Sequence, residues 1–150
     1  MLRRLINFAE SSAVFDARSS IAQIYRPVIR GYFGVAAIYY IVMTLTHFQE
    51  FSGADLLSMT TASVTASLFT LFAWHALRKP LPIGKLEALT SITNMLIIIN
   101  VMVALQLEYA EPKLIYFMMM AMIFAFACVS MRQALLSIAA ALGGLFYQLA

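Results

Sequence analysis

Asn94 and Asn100 are the side chains most able to do chemistry here, because they are amides inside the largely apolar stretch Thr90–Phe126. A carboxamide both donates and accepts hydrogen bonds, so in hydrocarbon it must find a neighbouring helix or a ligand. Thr93 and Asn100 are seven residues apart and share one helical face, while Ser91 and Asn94 share another. In the structural reading, each amide bonds across helices and fixes their pairing, worth on the order of 1 kcal/mol per bond. In the functional reading, Thr93, Asn94 and Asn100 line a small ligand pocket closed near the outer surface by Tyr109 and Tyr116. The structural reading is preferred, because no ionisable side chain joins the amides at depth.

Other reactive types do not assemble into a site. His47 and His75 fall at opposite membrane faces in the topology derived below, so one protomer cannot use both to ligate a haem. Met118, Met119, Met120 and Met122 invite a copper(I) site. Consecutive helical residues point in different directions, however, and methionine is a common apolar filler. Cys128 is the single cysteine and falls inside an expected span, which excludes an internal disulfide and a thiolate cluster. No lysine falls within a span, so Schiff-base chemistry has no anchor. Glu108 and Glu111 could hold a cation on the outer side, although an acidic loop is more simply a solvated one. Gly143-Gly144 lies in an apolar run and reads as close helix packing or a bend, not a phosphate loop. No catalytic residue, metal site or cofactor is identified, and no nucleic-acid partner is expected.

The elements that position these residues are membrane spans. Hydrophobic residues make up 63% of the chain and charged residues 11%, with mean hydropathy +0.86. Soluble domains carry roughly a quarter charged residues. The expected fold is therefore all-α, a polytopic membrane helix bundle with the lipid bilayer as its principal partner. Five spans are predicted, at about 28–48, 56–77, 88–107, 114–130 and 134–150. They follow a cytoplasmic, interfacial amphipathic segment over 1–27, in which Leu2, Leu5, Ile6, Ile21 and Ile24 oppose Arg3, Arg4, Arg18 and Arg26. That segment lacks the continuous apolar core of a cleavable signal, so the first span would serve as an uncleaved anchor. In the second span Thr60, Ser63, Ser67 and Thr70 share a face and read as a helix-packing seam. Gly31 and Gly34 would permit close approach to the first span, and Arg78-Lys79-Pro80-Leu81-Pro82 stops the second.

Charge orders the topology. Nine of the ten Lys and Arg residues fall in the N-terminal region, the second loop and the fourth loop. Only Lys113 falls on the other side. Positive residues stay inside, so the N-terminus is expected in the cytoplasm. Five spans would leave Ala150 outside, directly after an apolar run, and a sixth span beyond it is expected.

Three segments carry a family resemblance: FDARSSIAQIYRPVIRGYF (15–33), LEALTSITNMLIIINV (86–101) and LEYAEPKLIYFMMMAMIFAF (107–126). Together they resemble the N-terminal multi-span membrane sensory domains of bacterial GGDEF-type diguanylate cyclases. The GGDEF signature itself is absent, so no catalytic residue carries over. The resemblance implies an input domain of about six helices, acting as a homodimer, that regulates a cytoplasmic cyclic di-GMP synthase beyond this chain. It would sense an unidentified small ligand or a membrane state. The alternatives are a self-contained small membrane transporter or enzyme, and a structural subunit of a membrane complex.

Overall fold

The computed structural model of the chain describes residues 2–109 and 114–149, with side chains from Ser20 onward. Among these residues the architecture is all-helical: α1 (Leu2–Glu50), α2 (Gly53–Ala76), α3 (Ile83–Leu107), α4 (Ile115–Ala127) and α5 (Met131–Leu149). Its polarity is the reverse of a water-soluble bundle. Large apolar side chains face outward on every helix, among them Val35, Leu57, Ile99, Phe126 and Phe146. His47, Thr93, Asn94, Asn100 and Gln133 are buried. Exposed apolar surface on that scale is an aggregation hazard in water, whereas in lipid the only demand is that polar groups pair internally. Three helices, over Ser20–Glu50, Gly53–Ala76 and Ile83–Leu107, are long and apolar enough to cross a bilayer. Those features mark a membrane protein.

The other two expected spans have a different form. α4 has 13 residues and rises about 20 Å, against a hydrocarbon core of roughly 30 Å. α5 begins with Met131-Arg132-Gln133, the residues expected to form the connecting loop, and is not among the three long apolar helices. The chain instead turns one step earlier, where Cys128 leaves the helix with φ −82° and ψ 142°.

α1 also departs from expectation, because it runs unbroken through Pro27 for 49 residues, about 73 Å. No break separates an interfacial helix from a first span. Pro27 is exposed, while Ala22, Ile29 and Phe33 on either side of it form one buried stripe against Ala73, Leu77 and Leu86. That stripe holds the helical register across a residue that removes only one backbone bond. The expected roles of Arg3, Arg4, Arg18 and the residues between them concern side chains outside the described set.

α1 and α2 form an antiparallel hairpin with a two-residue turn, Phe51-Ser52, shorter than the loop expected from the sequence. Gly53 takes the left-handed φ of +61° that makes so tight a turn accessible. At the far end, Arg26 donates to the carbonyls of Leu77 (2.9 Å) and Arg78, capping α2 with a cation where its dipole is negative. Arg30 and Arg78 lie over the Trp74 ring, 5.0 and 5.3 Å from its centroid. Gly34 packs against that ring, so close that a Cβ would come within 3.2 Å, whereas Gly31 faces open space. A second core joins α3, α4 and α5 around Leu105, Phe117, Phe124 and Ala141.

The two adjacent glycines of α5 separate in this packing. A Cβ on Gly144 would sit 2.8 Å from the fully buried Phe117 ring, while one on Gly143 would meet nothing within 4 Å. Gly144→Ala is therefore expected to destabilise by about 1–3 kcal/mol through overpacking. Gly143→Ala is expected to be neutral or stabilising by about 0.5–1 kcal/mol, since alanine orders the helix better. Thermal unfolding of the two variants in detergent micelles compares them directly.

Candidate functional site: a polar interior around Asn94

α3 is the axis of a buried polar interior because its two amides face different neighbours. Asn94 is 1% exposed. Tyr32 of α1 donates its hydroxyl to Asn94 Oδ1 at 2.9 Å. Asn94 Nδ2 donates to Ser137 Oγ of α5 at 3.0 Å and to Cys128 Sγ at 3.5 Å. The amide thus uses both of its hydrogens and one of the two lone pairs of its oxygen. One side chain ties α1, α3, α5 and the turn between α4 and α5.

Asn100, six residues along, bonds elsewhere. Its Nδ2 donates to Ser63 Oγ of α2 at 2.9 Å, and Ser63 Oγ lies 3.0 Å from Nε2 of His47 on α1. The donors balance when Ser63 gives its hydrogen to Nε2. His47 is 1% exposed and packs edge-on against Phe51, with ring centroids 5.7 Å apart. The histidine expected at the outer surface is instead part of the interior. His75 is exposed, as a surface residue should be.

A third centre was hidden in the sequence. Gln133 is buried at the start of α5, where its Nε2 donates to Glu87 O at 2.9 Å, Ser91 Oγ at 3.0 Å and Thr90 Oγ1. Its Oε1 accepts from the Val129 N–H at 3.0 Å, while its own N–H donates to Ser130 Oγ at 3.3 Å. Ser130-Met131-Arg132-Gln133 is thus a variant of the reciprocal S-x-x-Q helix cap. That spacing was the available signal. Tyr32 and Ser137 carried no local signal, since each becomes polar machinery only when α3 brings Asn94 to it.

The expected site residues therefore divide. Asn94 and Asn100 are both buried but belong to separate networks. Thr93 is fully buried with its hydroxyl unpartnered. Tyr109 and Tyr116 are exposed, and neither bonds to an asparagine. Asn94 and Asn100 find other partners than a lid formed by Tyr109 and Tyr116. On the packing face of α2, Ser63, Ser67 and Thr70 are buried, and Thr60 is half-buried with an unpartnered hydroxyl oxygen. Thr70 donates back to Ala66 O at 2.8 Å, the usual resource of a hydroxyl inside a helix. Met120 is buried while Met118, Met119 and Met122 are exposed, so the methionines do not converge. Among the described residues no group of three His, Cys, Asp or Glu could hold a metal ion. Glu111 lies outside them.

No known family model matches the chain, and no curated protein or solved structure is found to be similar to it. Its chemistry rests on its own residues: neutral donors and acceptors that bind helix to helix.

Proposed function

We propose that the chain is a membrane-embedded sensory and dimerisation input domain that controls a cytoplasmic diguanylate cyclase, and through it cyclic di-GMP synthesis. It would lie in a bacterial inner membrane as a multi-pass homodimer, with its N-terminus cytoplasmic and five crossings in these residues. The observation that carries the input role is the Asn94 centre. A single neutral amide there links the long helix α1 to α3, α5 and the α4–α5 turn, so a displacement of one element is felt by the others. Support for the orientation is the charge asymmetry, with Arg26, Arg78 and Lys85 near one end of the bundle and Glu50 and Asp55 near the other. Support for the cyclase link is the resemblance of the three sequence segments to GGDEF-type sensory domains.

The test is the coding sequence beyond Ala150, followed by measurement of cyclic di-GMP in cells expressing the full-length protein. A sixth apolar span leading to a GGDEF signature is expected, together with a several-fold rise in cyclic di-GMP that Asn94→Ala alters. A downstream region with no signalling domain, or an unchanged nucleotide level, would contradict the reading.

A further inference from the structure

α3 and α5 run parallel, since Gln133 bonds at Glu87, Ser137 at Asn94 and Gln148 at Met102. Between them lies an open cleft of about 820 Å3, within the ~300–1,000 Å3 range of small-ligand sites. Its lining is graded. The first turns contribute Glu87 and Ser91 from α3, with Ser130 and Arg132 from the start of α5. Further along, Met95 and Leu136 line it beside Asn94 and Ser137, whose polar atoms bond to each other, and Ile98 lies about 16 Å beyond Glu87 along the helix. The polar end sits beside the loop at Arg78–Pro82 where α3 begins, and hence at a membrane surface. The apolar end points into the hydrocarbon.

We propose that this cleft binds one phospholipid of the phosphatidylethanolamine class, with its phosphate on Arg132, its ammonium on Glu87 and an acyl chain along Met95 and Leu136. The mouth offers one acid and one base, and no ion pair joins them. A headgroup carrying both charges satisfies both, and a primary ammonium, unlike a trimethylammonium, donates N–H bonds to the Glu87 carboxylate. A purely anionic headgroup would leave Glu87 facing negative charge, and a soluble zwitterion would leave the apolar trough unfilled. Guanidinium suits phosphate through paired N–H donors, and the hydroxyls of Ser91 and Ser130 can donate to the remaining oxygens. The inference requires that the helices lie in a bilayer, and is independent of any cyclase.

The test is native mass spectrometry of the purified chain released from nanodiscs of equimolar phosphatidylethanolamine, phosphatidylcholine and phosphatidylglycerol. One phosphatidylethanolamine per chain is expected, favoured about tenfold over either competitor. Arg132→Gln should abolish retention, and Glu87→Gln should erase the preference over phosphatidylcholine. Leu136→Trp, which fills the trough without touching the charges, should also expel the lipid and guards against a misfolded charge variant. Equal or greater retention of phosphatidylglycerol would overturn the proposal. So would variants that retain lipid as the native chain does, or a lipid-free dimer.

Discussion

Asn94→Ala is expected to lower the stability of the bundle by about 2 kcal/mol. Interhelical hydrogen bonds in membranes average about 0.6 kcal/mol, with single values up to about 1.7. Asn94 makes three, to Tyr32, Ser137 and Cys128. Alanine would also leave the Tyr32 hydroxyl inside the bundle without its acceptor, and an orphaned buried donor costs about 1–3 kcal/mol. Tyr32→Phe removes the donor and only one bond, so it should cost about 0.5–1 kcal/mol. Added to Asn94→Ala it should recover part of the loss, because it removes the hydroxyl that the first substitution orphaned. Denaturant unfolding in bicelles, followed by circular dichroism, measures all three variants. Equal and additive losses would mean that Tyr32 and Asn94 do not interact.

Gln133 should give the second large effect, with an ordering that identifies its role. Gln133→Met preserves length and apolar bulk but removes the donors to Glu87 O, Thr90 and Ser91 and the acceptor for Val129 N–H. It is expected to cost about 1–2 kcal/mol. Gln133→Glu preserves shape more closely, yet at neutral pH it turns a carboxylate toward three oxygens. About 3 kcal/mol is expected, since a buried charge set against the Glu87 carbonyl, even with the Val129 N–H to accept from, is penalised far more than a missing bond. The less isosteric substitution should therefore be the better tolerated one, as read from the midpoints of thermal unfolding. If the glutamate variant were the more stable, Gln133 could not be the donor clamp between α5 and α3.

The all-helical fold was legible because it follows from composition, and the α2–α3 turn because two prolines in three residues, Pro80 and Pro82, disfavour a continuing helix. The burial of Asn94, Asn100, Ser63 and Thr70 was legible too, since a polar residue in an apolar span must turn inward. Partner identity was not. Asn94 and Asn100 stand on one helix within two turns of each other and suggest one pocket, but α3 is enclosed on several sides and distributes them to different neighbours. Pro27 misled for a related reason. Local preference ends a helix there, while the buried stripe of Ala22, Ile29 and Phe33 continues it. Met131-Arg132-Gln133 read as a loop because its residues are polar, yet their polarity serves a helix cap and a clamp. In each case tertiary contact decided between two locally acceptable states.

The most direct measurement of whether Asn94 couples α1 to α5 is a distance between them in a bilayer. Spin labels at Val35 and Phe146, exposed on α1 and α5, would be read by pulsed dipolar resonance in nanodiscs, with Cys128→Ser as the common background. With Asn94 in place, one narrow distance distribution is expected, and Asn94→Ala should broaden or displace it. Identical distributions with and without the amide would contradict the coupling on which the proposed input role depends.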